Sequence, residues 1–152
     1  IIKKEKENKR QYIDLLLEAD PSKEMIERYL QDGDLFVLKY KDEVACVAVV
    51  IKVNENTCEL KNIIVAAKYR GQGYGKKMIK YVFDNYKQKY DKMIAGTTEN
   101  NIPFYVKQGF GKYEKTTKNF FIDNYNKEIW NEKMQCIDMY YYSKDLKKIK
   151  EN

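Results

Sequence analysis

The sequence predicts a single α/β domain built on a mixed, mostly antiparallel sheet, and two patterns carry that prediction. Three runs rich in β-branched residues lie at 35–40, 44–53 and 57–66 with short polar turns between them, which is typical of an antiparallel meander. A strand, a loop, a helix and another strand then follow in that order up to residue 97. Such an order requires a right-handed crossover and a parallel strand pair. The length of 152 residues fits one domain, which we place at 1–152.

The segment before the meander is predicted to be helical. Apolar residues at helical spacing indicate a helix over 8–19. A second helix is expected to begin at Asp20, with Asp20 as its N-cap and Pro21 at its first position. Gly33 is expected to end this helix, because glycine commonly follows a helix C-terminus.

The second half alternates helices and strands. The predicted elements are a helix over about 74–88, a strand over 92–97, a short helix over about 101–108, and strands over about 110–117 and 136–143. Residues 118–135 form a long polar and aromatic connection between the last two strands. Connections of that length are uncommon unless they are functional or mobile.

Composition removes several kinds of chemistry. The chain has no histidine, which excludes mechanisms that use imidazole as a base or a metal ligand. Cys46, Cys58 and Cys136 are widely separated and include no C-x-x-C pair, so we expect neither a disulfide framework nor a bound metal. Free thiols fit a reducing compartment.

The net charge of +6 comes mostly from scattered lysines, which is typical of a solvated surface. A nucleic-acid-binding domain is a rival interpretation of that charge. However, no recognition helix or aromatic RNA-binding strand is visible, so we expect no nucleic-acid partner. The first residues show no signal-peptide pattern, and the longest apolar run, 44–51, is far shorter than the ~20 residues of a membrane helix. We therefore expect a cytoplasmic protein without a membrane partner.

The loop before the helix over 74–88 is the most informative segment. It reads Lys68-Tyr69-Arg70-Gly71-Gln72-Gly73-Tyr74-Gly75-Lys76. Its glycines permit a positive φ and a close approach of a ligand to the backbone. The exposed N–H groups of such a loop, together with a helix N-terminus, form an anion cradle suited to a pyrophosphate. By itself the pattern also fits a glycine-rich turn without a ligand.

The loop matches neither of two common nucleotide-binding patterns. The dinucleotide pattern G-x-G-x-x-G fails because position 76 is Lys76. The P-loop pattern fails because Arg70 and Lys77 stand where it needs glycine and a hydroxyl residue. The pattern that fits is R-x-x-G-x-G, formed by Arg70, Gly73 and Gly75.

Together with its neighbours, this loop resembles the GNAT superfamily of acyl-CoA-dependent N-acetyltransferases. The matching parts are the strand over 59–65, the loop over 70–75, and the stretch Phe104-Tyr105-Val106-Lys107-Gln108-Gly109-Phe110, which is similar to the family's tyrosine-bearing helix. The order of elements over roughly 1–117 agrees as well. Segments 15–22 and 135–139 are similar to a bacterial branch of small, largely uncharacterised members.

The resemblance implies a sheet of six or seven strands with helices on both faces. It also implies a parallel strand pair that splays apart, between 59–65 and 92–97, and acetyl-CoA as the acyl donor. The pantetheine arm would pair with the backbone of Ile63, Ile64 and Val65. The pyrophosphate would lie on Arg70, Gly71, Gln72, Gly73, Tyr74, Gly75 and Lys76. The family's asparagine before the tyrosine corresponds to Asn100 or Asn101, about one turn nearer to the tyrosine than usual, and we assign the contact to Asn101.

The resemblance also implies roles in catalysis for two groups near the thioester. The backbone N–H around Val65 would stabilise the oxyanion. Tyr105 would protonate the leaving thiolate, because a phenol with a pKa of ~10 is a competent donor to a thiol with a pKa of ~8.5. The chain has 14 tyrosines. Tyr105 is distinguished from the others only because it follows Phe104 and precedes Gly109-Phe110.

Glu59 is the candidate base. A glutamate at the matching place in this strand is the base in the histone-acetyltransferase branch, and here it would act through a water with a pKa raised by burial. Strand alternation predicts that Glu59, Lys61, Ile63 and Val65 share one face. An exposed Glu59 that pairs with Lys61 or Lys52 is an equal alternative, and water alone as the base is another.

We therefore predict an enzyme that moves the acetyl group of acetyl-CoA to a primary amine of a small molecule by direct attack. An aminoglycoside-like compound, a polyamine or an amino acid would serve as the acceptor. A peptide or protein N-acetyltransferase and a non-catalytic acyl-CoA-binding sensor are the alternatives.

The long connection and the last strand have further candidate roles. Trp130 and Tyr125 are candidates for the wall of the acceptor pocket, with Asp123 or Glu128 attracting a cationic amine. The equal alternative is a small core that holds the connection in place. The last strand is a candidate for pairing across a homodimer.

Overall fold

The computed structural model describes residues 1–147, and positions 148–152 of the predicted domain lie outside the described residues. The strands are β1 (Ile2–Glu5), β2 (Asp34–Tyr40), β3 (Glu43–Lys52), β4 (Thr57–Val65), β5 (Lys92–Thr97), β6 (Lys112–Thr117), β7 (Ile129–Asn131), β8 (Met134–Cys136) and β9 (Met139–Asp145). The helices are α1 (Ile13–Leu16), α2 (Lys23–Leu30), α3 (Tyr74–Tyr86), α4 (Ile102–Lys107) and α5 (Phe120–Asn124).

Seven strands form one sheet in the order β1-β2-β3-β4-β5-β9-β6, and β7 and β8 form a separate hairpin. Within residues 1–147 every neighbouring pair in the seven-stranded sheet is antiparallel except β4 and β5. The predicted α/β class, the strand number and the parallel pair are confirmed.

The central strands are apolar on both sides because helices cover both faces of the sheet. Leu35 and Val47 belong to a core with residues of α1 and α2. Phe36 and Ala48 belong to a second core on the opposite face, which includes residues of α3. A strand buried on both faces is expected to read as a nearly continuous apolar run, as β3 does.

The N-terminal prediction is wrong in detail. In place of one helix over 8–19, a 3₁₀ turn at Lys9–Tyr12 leads into the single turn of α1. Beyond α1 the chain continues in tight turns, in which the N–H groups of Glu18 and Ala19 donate to the carbonyls of Leu15 and Leu16 at 3.1 Å. Strand β1 was not predicted. Its residues are mostly charged, and it pairs along β2, with Ile2 opposite Leu38.

The cap of the second helix also differs from the prediction. Ser22 is the N-cap of α2, and its side chain accepts a hydrogen bond from the N–H of Met25 at 3.2 Å. Asp20 and Pro21 precede the helix. The Asp20 carboxylate instead accepts from the N–H of Ser22 at 3.2 Å, an Asx-type turn that leaves its other lone pairs for more distant donors.

The long connection contains its own structure, and the last strand lies elsewhere than expected. Residues 118–135 include α5 and the first strand of the hairpin. The strand predicted over 136–143 is β9, which lies between β5 and β6. Both edges of β9 are therefore paired within the chain, so the prediction that it pairs across a dimer is wrong. The edge strands of the described sheet are β1 and β6.

Candidate active site

Strands β4 and β5 separate after a short parallel ladder. The ladder joins Thr57 to Lys92, Cys58 to Met93 and Glu59 to Ile94. Beyond Glu59, β4 continues to Val65 with pairing only to β3, while β5 pairs with β9 up to Thr97. The sheet thus opens into a gap whose vertex lies at Glu59.

Two residues of β4 direct backbone groups into this gap. The N–H of Ala66 donates to Ala45 on the β3 side at 2.8 Å. Because successive residues of a strand direct their N–H and C=O groups to alternate sides, Ile64 also points toward β3. Ile63 and Val65 consequently point toward the gap, and the Val65 carbonyl accepts from Arg70 Nε at 3.1 Å.

The glycine loop is open on the side where a ligand would approach. Gly71 and Gly73 have φ angles of +77° and +85°, and a Cβ atom on either would meet nothing within 4 Å. Gly73 is also the N-cap of α3, so the first N–H groups of a 13-residue helix are available beside it. Gly75 has a different role, because its Cβ position lies 3.5 Å from Val65 Cγ2, where α3 packs on β4.

The side chains of the loop point in several directions. Arg70 turns back to the Val65 carbonyl and to Glu18, where Nη2 lies 3.2 Å from Oε1. It therefore ties the loop to the end of β4. Tyr74 packs edge-on against Tyr69 at 5.8 Å between ring centres. Gln72 and Lys76 are exposed.

Glu59 is buried at the vertex of the gap. Its exposed fraction is 9%. Burial raises its pKa, and the positive charges of Lys61 and Lys115 partly oppose that rise. The alternative of an exposed, paired Glu59 is therefore wrong in its exposure, although the predicted pairing with Lys61 is present, with Lys61 Nζ at 3.7 Å from Glu59 Oε2. Lys52 pairs with Glu55 at 2.6 Å instead.

A β-bulge changes the predicted face of β4. Val50 lies opposite Leu60 and Val49 opposite Asn62, which leaves Lys61 as an extra residue. The extra residue reverses the alternation. Glu59 and Lys61 therefore lie on the α1–α2 face, whereas Ile63 and Val65 pack against the core that contains α3. The expectation that all four share one face is wrong.

Tyr105 lies on α4, on the α3 side of the gap. Its ring meets Phe104 and Phe110 edge-to-face, with ring centres 5.3 and 5.8 Å away. Burial alone raises the pKa of Tyr105 to about 12. No residue within 1–147 accepts a hydrogen bond from its hydroxyl, so the phenol remains protonated and available to a ligand.

The two candidate asparagines differ in their contacts. The Asn100 side chain accepts from Thr98 Oγ1 at 3.0 Å and from Asn131 Nδ2 at 3.0 Å, so it holds the β7–β8 hairpin. Asn101 is exposed at the N-cap of α4. Asn101 is the more exposed of the two, whereas Asn100 borders a cavity with residues 134–138; the contact of Asn101 with the donor stays a prediction.

A buried polar network on the α1–α2 face was missed by the sequence analysis. Tyr125 donates to Asp20 Oδ1 at 2.9 Å, and Tyr29 donates to Oδ2 at 3.1 Å. Asn62 Nδ2 donates to Tyr29 at 2.9 Å and to the carbonyl of Leu16 at 3.3 Å. The network ties the long connection to the loop before α2 and to β4. Asn62, which directly precedes the apolar residues at the end of β4, was the available signal.

Three of the four residues of the long connection that were proposed for the acceptor pocket lie at the surface. Trp130 is 55% exposed, and its Nε1 donates to Glu128 at 3.2 Å on the surface. Asp123 and Glu128 are exposed as well. Only Tyr125 points inward, toward Asp20.

Two cavities on the described surface lie near the separated strands, one beyond the end of β5 and the other beside β4. One of about 280 Å³ lies between the start of the β5–α4 loop and residues 134–138. The other, of about 390 Å³, lies between α2 and the ends of β3 and β4, and Tyr29, Ile51 and Lys61 line it. Both are the size of a small-molecule site.

The sequence matches a known domain family and a curated relative. The profile of the acetyltransferase (GNAT) domain matches residues 31–112. An uncharacterised N-acetyltransferase, YvbK of Bacillus subtilis (strain 168), is 33% identical over 130 residues, which is 83% of each chain.

Solved structures agree with this match. A GNAT family acetyltransferase from Elizabethkingia anophelis with acetyl-CoA bound is 37% identical, with a TM-score of 0.90 over 95% of this chain and 97% of that one. A Bacillus subtilis acetyltransferase in complex with CoA is 30% identical, with a TM-score of 0.84 over 95% and 97%. The chain belongs to the GNAT acetyltransferase family. The predicted family is confirmed, and with it an acyltransferase whose donor is acetyl-CoA.

Proposed function

We propose that the protein transfers the acetyl group of acetyl-CoA to a primary amine of a small molecule by direct attack. The observation that carries this proposal is the gap between β4 and β5, with a buried carboxylate at its vertex and an open glycine loop at its mouth. Two relatives at 37% and 30% identity contain acetyl-CoA and CoA, which supports this gap as the donor site.

The donor would lie along the free edge of β4. Bound acetyl-CoA supplies a thioester that a neutral amine attacks. The loop at Gly71 and Gly73 offers backbone N–H groups to the pyrophosphate, because neither position has a side chain in the way. Ile63 and Val65 offer backbone groups to the pantetheine arm and to the developing oxyanion. Asn101 lies at the mouth of the gap as a further contact.

Glu59 is assigned as the base. It lies at the vertex and faces the α1–α2 side, from which an acceptor would approach. A carboxylate whose pKa is raised by burial removes a proton from an ammonium group more effectively than an ordinary carboxylate. Proton transfer is direct or passes through one water.

Tyr105 is assigned to the leaving group. With a pKa of about 12, its phenol is a weaker acid than a thiol of ~8.5. Complete transfer of its proton to the thiolate would be uphill. Tyr105 therefore stabilises the departing sulfur by donating a hydrogen bond to it, a smaller role than full protonation.

The acceptor side favours a small molecule over a folded protein. The long connection lies over this face and is tied to the loop before α2 by the bond from Tyr125 to Asp20. The two cavities of about 280 and 390 Å³ fit compounds of modest size. Cys46, Cys58 and Cys136 are free and buried, which fits a reducing compartment, and we place the reaction in the cytoplasm.

Thermal unfolding with acetyl-CoA, CoA, ATP and NAD tests the donor site. A ligand at ~100 times its Kd raises the free energy of unfolding by ~2.7 kcal/mol, or about 5–10 °C in Tm for a domain of this size. We expect that rise with acetyl-CoA and CoA and not with NAD. Thiol release is then measured over panels of small amines and of peptides. Binding without release above background would favour the sensor, and release with peptides alone would favour a peptide acetyltransferase.

A further inference from the structure

The cavity under α2 adjoins the candidate base. Its lining includes Met25 and Tyr29 from α2 and Ile51 from β3. Ile51 is the cross-strand partner of Glu59, and directly opposite residues of an antiparallel pair share a face. Lys61 also lines the cavity, and its Nζ lies 3.7 Å from Glu59 Oε2, so a ligand bound to Lys61 lies near the Glu59 carboxylate.

Lys61 places a positive charge between this cavity and Glu59. As the extra residue of the bulge it lies on the α1–α2 face, and its side chain is only 23% exposed. Its Nζ is 3.7 Å from Glu59 Oε2, which is longer than a hydrogen bond. Glu59 is its ion-pair partner, and the ammonium also lies over the Tyr29 ring at 5.8 Å.

The other two cationic side chains that line the cavity, Arg28 and Lys52, form ion pairs at the protein surface. Arg28 bonds to Glu24, one helical turn away, and Lys52 pairs with Glu55. All four of these side chains are more than half exposed. Lys61 differs because it is largely buried and its donors face the cavity. Glu59 is the ion-pair partner of this ammonium at 3.7 Å, and a single carboxylate at that distance leaves N–H donors of Lys61 for a second anion in the cavity.

We propose that the acceptor is an amine that carries a carboxylate, and that Lys61 binds this carboxylate in the cavity under α2. This inference rests on the proposed function and narrows its acceptor to amino-acid-like compounds. The short distance from Lys61 to Glu59 matches the short spacing between the amine and the carboxylate of an amino acid. The apolar lining then receives an aliphatic or aromatic side chain.

Lys61 and Glu59 act together in the acetyl transfer. The ammonium of the acceptor passes one proton to Glu59, and the neutral amine nitrogen then forms a bond to the acetyl carbon. As the carbon–sulfur bond breaks, the second proton lost by the nitrogen passes to the departing sulfur, which leaves as the thiol. A bound carboxylate also pairs with Lys61 and partly neutralises its positive charge, so Lys61 lowers the pKa of Glu59 by less. Since Lys61 lowers the pKa of Glu59, the correct acceptor strengthens the base that deprotonates it.

Matched amine pairs test the assignment. Thiol release is measured with phenylalanine and phenethylamine, and with leucine and 3-methylbutylamine, in the wild-type protein and in Lys61→Met, Lys61→Arg and Lys87→Met. We expect kcat/KM to be at least tenfold higher for the carboxylate member of at least one pair. Lys61→Met should remove that advantage and Lys61→Arg should retain part of it. Lys87, an exposed partner of Asp84 on α3, is the control, and its variant should retain the advantage.

The outcomes separate this inference from the function on which it rests. Equal or better turnover of the decarboxylated amines by the wild-type protein would overturn the carboxylate assignment and leave acetyl transfer standing. An equal loss for both members of a pair in Lys61→Met, with an unchanged Tm, would overturn it too. No thiol release with any amine, despite a Tm rise with acetyl-CoA, would overturn both proposals.

Discussion

Glu59 and Ile94 form the last rung of the parallel ladder between β4 and β5. Beyond them the two strands part, so the buried carboxylate of Glu59 lies where the sheet opens. This single register places the candidate base, the free backbone of β4 and the acceptor-facing surface within one small region. Glu59, the backbone of β4 and the acceptor-facing surface can each be tested by substitution.

Replacing Glu59 with glutamine removes the base and keeps the shape of the side chain. We expect kcat to fall ~10²–10⁴-fold, as is typical when a general base is lost, with acetyl-CoA binding unchanged. Steady-state rates and the Tm rise with acetyl-CoA measure the two effects. A kcat within threefold of the wild type would assign proton removal to water alone.

The same variant has an effect on stability that depends on pH. Burial raises the pKa of Glu59 in the folded state, above the unfolded value of ~4.3. Its contribution to stability is therefore fully present below the unfolded pKa and is lost as the pH rises through the folded pKa. We expect Glu59→Gln to gain Tm relative to the wild type between pH 4 and pH 8. A flat difference across that range would contradict the raised pKa.

Tyr105→Phe tests the hydrogen bond to the leaving sulfur. Because the hydroxyl has no partner within residues 1–147, its removal should leave Tm nearly unchanged. We expect kcat to fall ~10-fold, as for the loss of one hydrogen bond to a charged group, while the KM for acetyl-CoA is retained. Tyr81→Phe is the control, since Tyr81 is also half-buried and its ring packs edge-on against Phe36. Equal rates in both variants would remove Tyr105 from the mechanism.

Gly73→Val tests the anion cradle. The positive φ of Gly73 costs an L-residue ~1–2 kcal/mol, so Tm should fall by about 2–8 °C. The larger effect should be loss of the Tm rise with acetyl-CoA, because the side chain enters open space where the pyrophosphate would lie. Gly111→Val is the control, since Gly111 has equally open surroundings and no positive φ. A normal acetyl-CoA response in Gly73→Val would contradict the cradle.

Tyr125→Phe tests the bond that ties the long connection to Asp20. Loss of this bond should loosen the cover of the acceptor side, so we expect the acceptor KM to rise several-fold while the acetyl-CoA KM stays constant. Tyr113→Phe loses a comparable bond, to Thr116 Oγ1 at 2.7 Å on β6, and should change neither. If both KM values rise together in Tyr125→Phe, the network supports the fold rather than the acceptor site.

Lys61→Met should move the acid limb of the pH–rate profile. Lys61 and Lys115 both lower the pKa of Glu59, and Tyr141 faces the same carboxylate. Removing the positive charge of Lys61 raises the pKa of Glu59, so more alkaline solution is needed to deprotonate the base. We expect the acid limb of kcat to shift to higher pH with an amine that has no carboxylate. A shift to lower pH would show that another group limits the rate.

Most of the fold was predictable because its signals are local. The three strands of the meander and the helix after the glycine loop lie within two residues of their predicted bounds at most ends. Two elements at the N-terminus were predicted incorrectly, β1 and α1. Strand β1 has few apolar residues and depends on pairing with β2. The helix over 8–19 was overextended because 3₁₀ and tight turns place apolar residues at nearly the same spacing as an α-helix.

The site was predictable in its parts and less so in its arrangement. The glycine loop, Glu59 and Tyr105 follow from residue types at characteristic places. Their side-chain directions do not, since Arg70 turns back to Val65 and Asn100 is held by the hairpin. Each of these directions depends on partners that are distant in the sequence or lie on another element.

The sequence by itself determined the family, the order of elements and the position of the loop, because these depend on short patterns and on apolar periodicity. Tertiary structure alone decided the bulge at Lys61, the burial of Glu59 and the network around Asp20. A bulge exists only as a mismatch between two paired strands, and burial depends on everything that packs around a residue. The chemistry of the acceptor side is therefore a property of the assembled sheet, in which one extra residue brings Asn62 onto the face of Glu59 and Lys61 and turns Ile63 and Val65 to the other face.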